Sequence, residues 1–151
     1  MMARWLNIPP VWLALALVIA YFQARNVHFG LSLSHPITDM VAGLSIGAGV
    51  LLMALAVVEM RRHRTTMILH READHLVTTG VFKWTRNPIY LGDAMVLLEF
   101  ILHWDAVLSL AILPIFVMAI DYGFIAPEED RLRRKFRSDF ERYMRDTRRW
   151  I

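Results

Sequence analysis

The chain has 151 residues, of which 56% are hydrophobic and 21% charged, with a formal net charge of +3 and no cysteine. Without cysteine there is no disulfide framework, no Cys-based zinc centre and no thiol nucleophile. The apolar share exceeds that of an ordinary globular chain, and its concentration in blocks points to an integral membrane protein of one domain, residues 1–151.

Four apolar blocks follow in chain order. The first spans about residues 6–22 and carries Pro9 and Pro10 near its start, where proline suits a first helical turn. It is at the short end for crossing a bilayer. It also has the size and the preceding Arg4 of a signal peptide, but Gln23-Ala24-Arg25-Asn26 is a poor cleavage site, so cleavage is not expected. The second block, about 37–58, is the strongest, and its Gly43, Gly47 and Gly49 suit close helix packing in lipid. The third, about 89–104, and the fourth, 106–126, are separated only by His103, Trp104 and Asp105, which predicts a tight helical hairpin.

Charge placement supports the same count. Of the 17 Lys and Arg residues, all but Arg25 fall before block one, between blocks two and three, or after block four. Four crossings bring those three segments to one side, which the positive-inside rule makes cytosolic, with both termini there. The expected fold is therefore all-α: four transmembrane helices, a cytosolic loop and a C-terminal amphipathic helix. In that helix Leu132, Phe136, Phe140 and Tyr143 form an apolar stripe, with Arg131, Arg134, Lys135, Arg142, Arg145 and Arg149 mostly off it. The basic residues read as topology signals and contacts with anionic membrane lipids. No recognition motif accompanies them, so nucleic acid is not an expected partner.

Two polar segments border the spans. His75 to Gly92 reads HLVTTGVFKWTRNPIYLG. Gly80 permits a backbone turn, and Asn87 before Pro88 predicts an N-cap for the third helix. Such a helix start also presents unpaired N–H groups and partial positive charge to a carboxylate, with Arg86 able to add a charged contact. Phe82, Trp84 and Tyr90 are candidates to wall an adenine ring. After the fourth block comes Pro127-Glu128-Glu129-Asp130. Acidic residues there either complement a helix dipole or bind a cationic ammonium group. His63, His70 and His75 match no metal-ligand pattern.

Taken together, these segments resemble the isoprenylcysteine carboxyl methyltransferase and phospholipid methyltransferase superfamily. The likeness is carried by Leu76-Val77-Thr78-Thr79-Gly80-Val81-Phe82, by Arg86-Asn87-Pro88-Ile89-Tyr90-Leu91-Gly92, by Glu128-Glu129 beyond a hydrophobic hairpin, and by the Leu132, Phe136, Phe140, Tyr143 stripe. It covers about half the chain, from His75 onward. The resemblance implies a membrane methyltransferase using S-adenosylmethionine, bound in a cytosolic pocket formed by about 75–92 and 127–143. Carried over, Arg86, Asn87, Pro88, Tyr90, Leu91 and Gly92 fall on the cofactor motif, Leu76, Val77, Gly80 and Phe82 on the preceding loop, and Glu128 and Glu129 on the acidic pair. A lipophilic substrate would enter sideways from the bilayer. Asn87 stands where eukaryotic members usually have His, which removes acid–base chemistry there, and Val81 replaces the usual Pro.

Methyl transfer from a sulfonium has a neutral leaving group and needs no acid. Positioning and exclusion of water are the main requirements. A carboxylate acceptor needs no base, whereas an amine must first lose a proton. Asp93, Glu99 and Asp121 lie in or near the last two spans, where acids usually face the protein interior. Glu99 is the catalytic candidate for lining a polar substrate cavity, against the alternative of an interhelical hydrogen bond. Arg134, with Arg133, is a candidate to hold an anionic substrate group, against the alternative of a solvated flank. Two rival functions remain open: an NADPH-dependent membrane reductase related to sterol reductases, for which the chain is short, and a non-catalytic membrane scaffold.

Overall fold

The computed structural model describes residues 8–27, 29–64 and 75–151. Arg4, His70 and Arg71 lie outside the described residues, as does the first part of the 6–22 block. All regular structure among the described residues is helical. In chain order it comprises α1 (Pro9–Asn26), α2 (Pro36–Arg62), a 3-10 turn (Gly80–Lys83), α3 (Pro88–His103), a second 3-10 turn (Val107–Ala111), α4 (Ile112–Ile120), a π turn (Asp121–Ile125), α5 (Ala126–Phe136) and α6 (Ser138–Asp146).

Among the described residues, two helices are long and apolar enough to cross a membrane. These are Pro36–Arg62, with mean hydropathy 2.4, and the continuous Val107–Phe136 helix, with mean hydropathy 2.1. The latter runs unbroken through Pro127, although a proline inside a helix lacks a donor and its ring crowds the carbonyl four residues earlier. The π turn at Asp121–Ile125 lies directly before Pro127. Its wider hydrogen-bond spacing gives the ring room, so the helix continues where a stop would be expected.

Helix α3 is the centre of the bundle and packs on α1, α2 and α4. One face, Tyr90, Ala94, Leu97 and Ile101, meets Ala16 and Ala20 of α1 and Phe116 and Ile120 of α4. The other face meets α2 at a close backbone crossing. A Cβ on Gly92 would lie 2.6 Å from Met53 Cγ and 2.8 Å from the Gly49 carbonyl, so both positions require glycine. Gly43 and Gly47, expected to share this role, have open space where a Cβ would stand. They lie on the outer face of α2 with Met40 and Leu44, both of which are exposed.

The turn between α3 and α4 is as tight as the three-residue spacer predicts. Asp105 takes φ +52°, Ala106 N–H donates to Ile101 O at 2.9 Å and Asp105 N–H to Leu102 O at 3.1 Å. This pair of bonds forms a Schellman stop. The Asp105 carboxylate accepts from Leu33 N–H at 2.6 Å and from the Ser32 hydroxyl, which ties in the α1–α2 loop. Gln23 Oε1 accepts from Ser109 N–H at 3.0 Å and Ser109 Oγ at 2.9 Å. That contact satisfies donors at the start of the Val107–Phe136 helix.

The C-terminal region differs from the expected single amphipathic helix. Arg137 at φ +45° breaks it into α5 and α6. The apolar stripe nevertheless has one destination. Phe140 and Tyr143 are buried with Ala56 and Met60 of α2 and with Val77, Val81 and Phe82 of the loop, and Leu132 and Phe136 pack against them. The stripe therefore closes on the protein's own loop and on α2.

Candidate functional site

The loop before α3 is fastened at both ends. Thr79 donates its hydroxyl to Glu59 of α2 and lies 2.8 Å from His63 Nε2. Gly80, at φ +59°, passes so close to Glu59 that a Cβ would meet the carboxyl at 2.9 Å. Further on, Tyr143 of α6 donates its hydroxyl to the Phe82 carbonyl at 2.7 Å. Burial raises the pKa of that phenol, and the nearby Arg86 only partly opposes the shift. The phenol therefore stays protonated and remains a donor.

An ionic cluster supports the start of α3. Arg86 gives Nε and Nη2 to Glu129 Oε1 at 3.1 and 3.0 Å, and Nη1 to the carbonyls of Met144 at 3.1 Å and Thr147 at 2.6 Å. The C-terminal residues fold back over it. Arg149 pairs with Glu129 and with Asp121 Oδ2, the latter at 2.9 Å, and Trp150 Nε1 donates to Asp121 Oδ1 at 3.2 Å. The hydrogen bond to Glu129 is the main cause of the raised Arg149 pKa. Arg86 N–H also donates to Arg148 O at 3.0 Å. Residues 147–150 thus form a strap tied to the loop through backbone as well as side chains.

Asn87 precedes Pro88 as expected, but its side chain does not cap α3. Its Nδ2 donates to Arg149 O in the strap at 3.0 Å. The first turn of α3 is left without a side-chain cap.

Above this frame lies one cavity, enclosing about 630 Å³ of empty space including its open mouth. Leu76, Val77, Phe82, Arg86 and Asn87 line it from the loop, Glu128, Glu129 and Leu132 from α5, and Phe140 and Tyr143 from α6. Met60, His75 and Ile125 complete the lining. The two glutamates divide their work. Glu129 is 6% exposed and is held by two arginines. Glu128 borders the cavity with no hydrogen bond or ion pair among the described residues.

Seven of the expected cofactor residues thus meet in one place: Leu76, Val77, Phe82, Arg86, Asn87, Glu128 and Glu129. The others stand elsewhere. Gly80 backs onto Glu59, Pro88 is fully buried at the helix start, Tyr90 lies in the core between α1 and α4, and Gly92 makes the α2 crossing. Leu91 does not line the cavity. Trp84 is 78% exposed and walls nothing. The two catalytic candidates are also elsewhere. Glu99 is twelve residues beyond Asn87, about 18 Å along the α3 axis, and its buried Oε2 has no hydrogen-bond partner among the described residues. Arg134 is exposed on α5 and away from the cavity. Arg86 itself is largely occupied as a strut. Met60 and Ile125 carried no sequence signal, being apolar residues at the ends of apolar helices. Arg149 and Asp121 were visible only as a basic tail residue and a span acid.

No curated protein and no solved structure matches the chain. The sequence pattern of phospholipid methyltransferases matches residues 37–139, from the start of α2 into α6. That match covers more than half of the sequence and includes both halves of the cavity wall. The chain belongs to the phospholipid methyltransferase family, a family of membrane methyltransferases within the isoprenylcysteine and phospholipid methyltransferase superfamily.

Proposed function

We propose that the protein transfers a methyl group from S-adenosylmethionine to a hydrophobic acceptor drawn from the bilayer, either a prenylcysteine-like carboxylate or a phospholipid amine. In this reading the chain crosses the membrane four times, with both termini and the cavity on the cytosolic side. The observation that carries the reading is the unpaired Glu128 carboxylate in the same cavity as Asn87. A carboxylate withdrawn from water is costly unless a cation meets it. The donor supplies such cations as its ammonium and sulfonium groups.

The residues present fit such a ligand. Glu128 receives its positive charge, Phe82, Phe140 and Leu132 give a flat, apolar wall for the purine, and the uncapped first turn of α3 beside Asn87 suits its carboxylate. Arg86 and Glu129 hold those groups in place through the strap. When bound, the donor provides an electrophilic methyl carbon. The protein's share is to orient it, keep water away and leave a lateral opening for the acceptor. Isothermal titration of the purified chain tests this reading. Binding of S-adenosylhomocysteine but not NADPH supports it, and binding of NADPH alone, or of neither, overturns it. Labelled methyl donor with a native lipid extract then identifies the acceptor.

A further inference from the structure

Two residues of the cavity wall, Arg86 and Asn87, are held by a segment that does not itself line the cavity. Helix α6 ends at Asp146 and Thr147 is extended, so residues 147–150 cross the loop as open chain. Their carbonyls take up loop donors one after another. Thr147 O accepts from Arg86 Nη1 at 2.6 Å, and Arg148 O from Arg86 N–H at 3.0 Å. Arg149 O accepts from Asn87 Nδ2 at 3.0 Å and from the Thr85 hydroxyl at 3.3 Å. The Thr147 hydroxyl returns a bond to Lys83 O at 3.3 Å. Thr85 and Asn87 are buried, so lifting the strap strands their donors away from water. A fold avoids that cost by rearranging. Asn87 has a ready alternative in the uncapped first turn of α3, where asparagine is a favoured cap. Taking it would turn the side chain from its present place in the wall.

Among the described residues, the strap carries its ion pairs on one side chain. Arg149 reaches Glu129, and Asp121 Oδ2 at 2.9 Å. Trp150 adds one hydrogen bond to Asp121 at 3.2 Å. The Arg149 side chain is 36% exposed, against 12% for Arg86 and 8% for Glu129. Water competes for the outer pair far more than for the inner one. The strap can therefore come away while Arg86 and Glu129 stay joined.

We propose that Arg149 is a positioning residue that pins the strap on Glu129 and Asp121, and that the docked strap sets Arg86 and Asn87 for the cofactor. Docking of the strap and filling of the cavity are then one coupled equilibrium. Coupling of this kind is reciprocal: a loose strap weakens the ligand, and the ligand tightens a loose strap by the same factor. The inference rests on the methyltransferase reading above and adds the element that controls its site.

The test uses the full chain in lipid nanodiscs. The sequence has no cysteine, so Ile151→Cys, at a position 80% exposed, gives a single thiol beside the strap for a nitroxide label. Label mobility reports docking, and titration reports affinity for S-adenosylhomocysteine. On this background Arg149→Ala should free the label and weaken binding roughly tenfold or more, within the usual range of coupling between sites. Arg149→Lys keeps the charge but lacks the fork that serves two carboxylates, so it should recover part of both. In that variant saturating S-adenosylhomocysteine should draw the label back to its immobile form. If the Ala variant does not fold, Arg149→Lys and Trp150→Phe carry the same test, each losing affinity in step with label mobility. A freed label with unchanged affinity overturns the proposal. So does lost affinity with an immobile label, or a mobile label in Arg149→Lys that bound ligand does not slow. Failure of the labelled parent protein to bind S-adenosylhomocysteine while its label is immobile sinks the earlier reading instead.

Discussion

Helix α3 and the Val107–Phe136 helix are joined at one end by a closed turn and part at the other around a cavity. At the turn, Asp105 meets Ser32 and Leu33, and Gln23 meets Ser109, so these polar side chains are matched within the protein. At the cavity end, Arg86, Glu129, Arg149 and Asp121 form an equally matched cluster, yet Glu128 beside them has no hydrogen bond or ion pair among the described residues. The difference separates two uses of charge. The matched groups here fix the backbone, and Glu128 borders the cavity next to them. Adjacent residues in sequence, Glu128 and Glu129, fall on opposite sides of that division.

Five substitutions break or sharpen the comparison. The largest effect belongs to Arg86→Ala, which leaves buried Glu129 with Arg149 alone and removes donors from two carbonyls. Breaking such a pair costs about 3–5 kcal/mol, so thermal unfolding in detergent should show a much lower midpoint, with cofactor binding lost as well. Next is Glu128→Gln, which should leave the unfolding midpoint near wild type or raise it. It should weaken binding of S-adenosylmethionine by roughly 10–100-fold, the worth of one hydrogen bond to a charged group of about 1.5–3 kcal/mol. A large fall in stability would show that Glu128 belongs to the matched set after all.

Tyr143→Phe should cost about 1 kcal/mol in unfolding free energy by leaving the Phe82 carbonyl without its donor, and the loosened loop should weaken cofactor binding in step. The smallest effect is at Gly43→Ala, where a Cβ meets nothing. A change of about 0.5–1 kcal/mol, in the stabilising direction, is expected there from helix propensity. Gly92→Ala, at the α2 crossing, serves as its counterpart in the same assay and should destabilise by about 1–3 kcal/mol through overpacking.

How far the sequence reached differs between these regions. The helices were legible because apolar blocks and prolines act locally. The bounds of α2 and α3 fall close to the blocks, and the three-residue spacer foretold the tight turn. The cavity loop and acidic pair were legible through motif likeness. Three features were not. The side chain of Asn87 turned to a strap carbonyl instead of capping α3, since that choice depends on a segment 62 residues away. The break at Arg137 was hidden because an apolar stripe can continue across two helices that dock on one surface. The strap itself was read as basic charge alone.

The sequence by itself determined the all-helical, apolar framework, the family, and the two polar segments that meet. These follow from periodicity, composition and short motifs, each of which acts within a few residues. Tertiary structure alone decided which of two adjacent glutamates is neutralised, that Glu99 stands far from the cavity, and that Phe140 and Tyr143 of α6 complete the wall. The physical reason is that pairing of a charge depends on what the fold brings within a few ångströms, and spacing along the chain does not encode that distance.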